Sequence, residues 1–264
     1  WLKWPSHGSA RGARAHGGLL ASRAMAPQQP RLAFGVSERS ATVVHDVFNV
    51  VCVAILNLLN IMNWRHDAAS WSSLQLFDGA EAWAERWVGE YHEIFVAATF
   101  SYMLADTVFL FVLPQCVKIP GPIVVHHVFA IMAMAVPWCH GATHGYTLGV
   151  FMLADINTMF LILRKFLLRR PKAELLPQIA LSVVSACFYA TWGVIRLVLF
   201  PIWLFTISGS EWAAAWRRTG APLNLFLVMP LANVFAVYLN FKWTWDLLSG
   251  MLRRSRAPPP PLEL

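Results

Sequence analysis

The chain has 264 residues, 57% of them hydrophobic and 13% charged, with a formal net charge of +7 and a mean hydropathy of +0.51. Soluble domains carry about 25% charged residues, so these values exclude an ordinary soluble domain and point to a chain embedded in lipid. The positive charge does not signal nucleic acid, because the basic residues sit at the ends of apolar runs and form no polar basic face. Cys52, Cys116, Cys139 and Cys187 are scattered through apolar stretches without a CxxC pair. They read as small buried hydrophobes, with no disulfide framework and no metal site.

In chain order, residues 1–24 carry Lys3, Arg11, Arg14 and Arg23 and no acid. That is the composition of an organelle transit peptide without the apolar core of a secretory signal, and residues 1–36 are expected to form a basic, disordered tail. A membrane-spanning helix needs roughly 20 mainly apolar residues. Six stretches qualify: Val43–Met62, His92–Leu113, Ile119–Cys139, Tyr146–Phe166, Leu176–Leu199 and Leu223–Trp245. The expected fold is an all-α bundle of about six transmembrane helices over residues 37–254, followed by a Pro-rich tail, 255–264. Pro201 is expected to end the fifth span, with Ile202–Ile207 as a re-entrant or interfacial piece. Two loops carry capping-box signals, Asp78 with Glu81 and Ser208 with Glu211, each followed by a tryptophan pair (Trp83 and Trp87, Trp212 and Trp216). They read as interfacial helices anchored at headgroup level.

Basic residues set the orientation. The tail, Lys118, the cluster Arg164, Lys165, Arg169, Arg170 and Lys172, and the C-terminal Lys242, Arg253, Arg254 and Arg256 all fall on one side, against Arg65, Arg86, Arg217 and Arg218 on the other. The first side is therefore expected in the cytosol, together with both termini.

Ionisable residues inside spans are costly and are functional candidates by default. His45 and Asp46 open span one, which also holds Asn49, Asn57 and Asn60. Asp106 lies in span two, His126–His127 in span three, Asp155 and Asn157 in span four, Arg196 in span five, and Asn233 and Asn240 in span six. Asp106, Asp155 and the histidine pair each lie roughly 10 Å inside the bundle from the same side. Four helices are thus expected to share one polar cavity fit for a lipid with a polar head and an acyl chain. A histidine beside Asp106 or Asp155 is suited to deprotonate a hydroxyl or amine that attacks a thioester. The competing reading is a set of mutually satisfied polar groups that fix helix packing. Arg196 is placed near the end of its span, where it snorkels.

Several patches carry a family likeness. They are Ser40-Ala41-Thr42-Val43-Val44-His45, then Ser101-Tyr102-Met103-Leu104-Ala105-Asp106, then the His126–His127 pair after a Pro-rich turn. Asp155-Ile156-Asn157-Thr158-Met159-Phe160 with Arg164 follows, then Arg196 and Asn240. Over residues 37–254 the chain resembles TLC-domain proteins, which include ceramide synthases, translocation-associated membrane proteins and orphan lipid-homeostasis proteins. It departs from the ceramide synthases in span four. Ala154 stands where their motif has histidine, and Thr158 where it has a second aspartate. The resemblance implies a multi-pass endoplasmic-reticulum protein acting on lipids, closer to the orphan branch. On that reading His126, His127, Asp106 and Asp155 are the catalytic candidates, and His45, Asn157, Arg164, Arg196 and Asn240 bind substrate. Acyl-CoA is the co-substrate, drawn to the Arg169–Lys172 cluster by charge, and no other cofactor or metal is expected. Membrane lipids are the partners, with homo- or hetero-oligomers allowed and nucleic acid excluded. The alternative is a non-catalytic lipid sensor, carrier or cargo adaptor. A di-iron oxygenase is disfavoured because nine histidines, two of them in the tail, form no HxxHH box. A transporter is disfavoured by the lack of an internal repeat.

Overall fold

The computed structural model describes residues 35–72, 77–117, 119–170 and 175–255. Most of the expected N-terminal tail, the C-terminal tail beyond residue 255, Lys118 and Lys172 lie outside the described residues.

Among the described residues five helical stretches are long and apolar enough to cross a membrane: Glu38–Met62, His92–Val112, Gly121–Leu168, Leu175–Thr219 and Leu225–Leu252. The first is helix α1 (Glu38–Met62), which starts on Ser37, whose side chain accepts from the Ser40 amide. Its buried face is Ala41, His45, Asn49, Val53, Leu56 and Asn60, three or four residues apart. Its exposed face is Val44, Val47, Val51, Ile55, Leu58 and Ile61. Polar groups inward and branched apolar groups outward invert the pattern of a water-soluble helix, as a hydrocarbon solvent demands. Helix α4 (His92–Val112) repeats the arrangement, with Thr99, Met103 and Asp106 buried and Ile94, Leu104, Val108 and Phe111 exposed.

Between them, two short helices, α2 (Ala68–Ser72) and α3 (Ala80–Ala84), form a compact cap. Asp67 accepts from the Ser70 amide at 2.8 Å, and hydrogen bonding from Ser70 holds its carboxyl below the usual carboxylate range. Helix α3 starts on Gly79 without a side-chain cap bond, so the Asp78–Glu81 box does not form as expected. Trp83 and Trp87 are not headgroup anchors. They are buried in edge-to-face contact with Trp64, and Trp83 also meets Trp203 edge-on at 5.7 Å. An aromatic cluster of this size closes one end of the bundle, called here the tryptophan end.

The third stretch, straight, would be about 72 Å long, more than twice a hydrocarbon core of about 30 Å. It is not straight. Helix α5 (Gly121–His140) stops at Gly141, whose φ of +69° suits glycine. A single 3₁₀ turn, Gly141–His144, leads into α6 (Gly145–Met152) and α7 (Ala154–Leu168). His126 of α5 and Asp155 of α7 line the same cavity, so the two limbs fold back on each other. The return brings α6 against the tryptophan cluster. A Cβ on Gly149 would lie 2.6 Å from the Trp87 ring and 2.9 Å from that of Trp64.

The fourth stretch differs from expectation. Pro201 does not end it. Helix α8 (Leu175–Thr191) continues through a π-helical segment, Trp192–Leu199, into α9 (Phe200–Trp203), then through a second, Leu204–Gly209, into α10 (Ser210–Thr219). Proline cannot donate a backbone bond, and the widened π turns on either side let the helix pass it. Ile202–Ile207 is therefore a part of this helix, with Trp203 and Ile207 each 1% exposed on its inner face and Phe205 turned outward. The Ser208–Glu211 box starts nothing: Ser208 is fully buried, and the backbone at Gly209 and Ser210 stays helical. Helix α11 (Val228–Ser255) closes the bundle against α5.

At the end opposite the tryptophans, Asp46 of α1 binds Lys165 Nζ at 3.1 Å and Arg169 Nη2 at 2.9 Å, both from α7. The buried carboxylate locks first and fourth spans together at this basic end.

Gly149→Ala places a methyl into the aromatic cluster and is expected to cost about 1–3 kcal/mol, read as a lower melting temperature of detergent-solubilised protein. Gly250→Ala, where nothing lies within 4 Å, should leave it unchanged or higher.

Candidate functional site

Asp106 is the centre of the polar interior. Four residues from it along α4 lies Tyr102, and four from His45 along α1 lies Asn49, so each pair shares a helix face. His45 Nε2 donates to Asp106 Oδ1 at 2.8 Å, and Asn49 Nδ2 donates to the same oxygen at 3.2 Å. Tyr102 OH donates to Asn49 Oδ1 at 2.7 Å. The other oxygen, Oδ2, faces His127 Nε2 at 3.4 Å. The Thr107 hydroxyl donates to the Met103 carbonyl at 2.7 Å, so it accepts from His127 Nδ1, 3.0 Å away. His127 Nε2 is then the nitrogen left to take up or release a proton against Asp106.

His126 is one residue earlier and turned by about 100°. It faces a cavity of about 160 Å³ lined by α4, α5, α6, α7, α11 and the π-helical segment of the fourth stretch. Its ring meets Trp243 edge-on at 6.5 Å. Asp155 of α7 lines the same cavity, and its Oδ2 is buried without a hydrogen-bond partner among the described residues. A buried carboxylate oxygen without a donor is unfavourable; it marks a place for a ligand group or water.

Arg196 does not snorkel. It sits near the middle of the Leu175–Thr219 stretch and borders the cavity. Its Nε donates to Asn157 Oδ1 at 3.1 Å and Nη1 to Asn240 Oδ1 at 3.0 Å. Its Nη2 donates to the Ala154 carbonyl at 3.2 Å and Thr158 Oγ1 at 3.1 Å. Trp192 and Trp243 flank the guanidinium, with its carbon 5.1 and 6.0 Å from their ring centres. The two positions that depart from the ceramide synthase motif, Ala154 and Thr158, are thus the docking points of one arginine nitrogen.

The structure brings together Asp106, His126, His127, Asp155, Asn157, Arg196 and Asn240 around one cavity. His45 stands behind Asp106 and supports it. Arg164 is outside the cavity lining: its Nε donates to Ser185 Oγ at 3.0 Å and its guanidinium lies over Tyr189, which ties α7 to α8. Arg169, expected to greet a nucleotide, is engaged with Asp46. His140 and His144, the other histidine pair, lie with ring centres 5.3 Å apart and tilted at the far end of α5, beside Glu211, and do not join His126–His127. Asn49, Tyr102 and Thr107 were not singled out as site residues. The i, i+4 spacing of Asn49 from His45 and of Tyr102 from Asp106 was the available signal.

Inward polar faces, outward apolar faces and five stretches long and apolar enough to cross a bilayer define a multi-pass integral membrane protein. The family model for the TLC domain matches residues 41–249, most of the chain, and the chain belongs to that family. No curated protein and no solved structure matches it.

Replacing Asp106 by alanine strands His45, Asn49 and His127 and is expected to destabilise the protein by about 3–5 kcal/mol. Asp106→Asn, which keeps one acceptor oxygen and turns the other into a donor, should cost less than alanine, and thermal melts of the two variants side by side check the ordering.

Proposed function

We propose that this is a six-span TLC protein of lipid homeostasis that holds an acyl-chain lipid in its central cavity and transfers the acyl group from acyl-CoA. The observation that carries the reading is that one mainly apolar cavity is lined both by Asp155, with an unpartnered carboxylate oxygen, and by the His126 imidazole, which makes no hydrogen bond among the described residues. The fold-back at Gly141 makes two crossings of the Gly121–Leu168 stretch. The excess of basic residues at the Asp46–Lys165–Arg169 end puts that end in the cytosol, where acyl-CoA is available, and the endoplasmic reticulum is the host membrane the family likeness favours.

In the transfer, a hydroxyl or amine attacks the thioester carbonyl. The new C–O or C–N bond forms as the C–S bond breaks, the nucleophile's proton passes to histidine, and coenzyme A leaves as thiolate. His126, whose ring faces the cavity, is the base; His127, its nitrogens engaged by Thr107 and Asp106, fixes the wall beside it; Asp155 orients the acceptor. Asn157, Asn240 and Arg196 form the polar wall beside the head group. Arg164 and His45 stand behind this wall as supports.

A second reading is a lipid sensor or carrier without turnover. It is favoured by the side of the cavity where Ala154 and Thr158 serve Arg196 and no second aspartate is present.

Mass spectrometry of lipids that co-purify with the protein, before and after acyl-CoA, separates the two. Acyl transfer predicts an acylated product that appears with native protein and falls at least about 100-fold in a His126→Ala/His127→Ala variant, the scale of general acid–base contributions. A bound lipid unchanged in both overturns catalysis and leaves the carrier.

A further inference from the structure

Two charges line the cavity without meeting. The carboxylates elsewhere in the interior are paired: Asp46 holds Lys165 and Arg169, and Asp106 holds His45 and His127. Arg196 and Asp155 form no ion pair among the described residues. The guanidinium bonds only to uncharged oxygens, those of Asn157, Asn240, Ala154 and Thr158. Asn157 keeps its amide nitrogen on the Phe188 carbonyl at 2.9 Å, so its oxygen is what the cation meets. Arginine carries five N–H donors, and the second N–H of Nη1 has no acceptor among the described residues. Asp155 Oδ2 has no donor among them. Helix α7 keeps the two charges apart. Asn157 and Thr158 turn toward the guanidinium, and at 100° per residue Asp155 lies about 60° round from Thr158 and about 160° from Asn157. Both charged residues border the cavity, whose remaining lining is mainly apolar, with Met134, Leu148 and Met229 in it.

We propose that the cavity takes a zwitterionic head group, and that the acyl acceptor is an amino acid whose ammonium meets Asp155 Oδ2 and whose carboxylate meets Arg196. The inference rests on the lipid-binding reading above and names the class of acceptor.

Charge balance selects this class. One cation and one anion sum to zero, and a net charge added in hydrocarbon is costly. A fatty acid alone serves Arg196 and leaves Asp155 bare. An amine alone does the reverse. An ammonium with one carboxylate meets both and adds no net charge, whereas a phosphate monoester carries about −1.5 to −2 and upsets the balance. On transfer the amine nitrogen attacks the thioester carbonyl, the C–N bond forms and the C–S bond breaks. The ammonium gives up two protons, one to Asp155 and one to His126, and coenzyme A leaves as thiolate. The product is an N-acyl amino acid.

The experiment is native mass spectrometry of the full chain in a non-ionic detergent, offered four probes of one tail length: α-aminododecanoic acid, dodecanoic acid, dodecylamine and dodecanol. The amino acid is expected to bind at least about 10-fold tighter than each of the others, the scale of one charge-assisted hydrogen bond. Asp155→Asn removes the negative pole where Oδ2 has no bond to lose, leaves Arg196 as the cavity's net charge, and is expected to make dodecanoic acid the tightest probe. Any other probe binding tightest to the native protein, equal binding of all four, or a ranking that Asp155→Asn leaves unchanged overturns the zwitterion site while leaving lipid binding standing. No bound probe of any kind overturns both.

Discussion

A carboxylate carried into hydrocarbon must be met by donors, and much of this bundle is organised around meeting one. Asp106 draws His45 and Asn49 from the first span and His127 from the third, so three helices are registered against each other at a single side chain. Lipid offers no hydrophobic force to press helices together, and polar contacts of this kind set their register instead. The same logic operates at Asp46, where one buried carboxylate ties α1 to two cations of α7, and at Arg196, whose donors reach α7 and α11. Asp155 is the exception. It is placed as deeply, and no donor among the described residues reaches its Oδ2. In a structure that satisfies its other interior charges, that exception is the strongest pointer to where a ligand sits.

Irregular backbone is concentrated where it positions these groups. The break at Gly141 returns the chain so that α5 and α7 present His126 and Asp155 to one space. The π-helical turns around Pro201 keep Arg196 and Phe200 on a single continuous helix. One π turn also carries Trp192, whose ring flanks the Arg196 guanidinium. Wide turns of this kind are common at functional sites, and here they redirect side chains on a helix that must also stay closed to lipid.

The apolar stretches were legible because length and composition decide a membrane span almost alone; the second, expected at His92–Leu113, forms over His92–Val112. The clustering of Asp106, His126, His127 and Asp155 was legible as well, since each is costly in lipid and their common depth follows from residue count. Pro201 misled because propensity describes an ordinary α-helix and not a π turn. The tryptophans of α3 and its flanking loop misled for a different reason. Tryptophan suits both headgroup and core, and only tertiary contact with Trp64 and Trp203 shows which. Arg196 was misplaced by counting depth from a helix end that Pro201 does not make. Arg164 resembled a site residue by its family position, and its engagement with Ser185 depends on the partner helix, which periodicity does not reveal.

The account stands on the cavity being a place where an acyl chain resides. The most direct measurement is photo-crosslinking in cells fed a fatty acid with a diazirine near its methyl end, followed by peptide mapping of the adducts on the purified protein. An interior chain predicts adducts on α5, α6 and α11 around Met134, Leu148 and Met229. Adducts confined to the outward-facing Leu104, Val108 and Phe111 of α4 would mean that lipid touches only the bundle's exterior, and would contradict it.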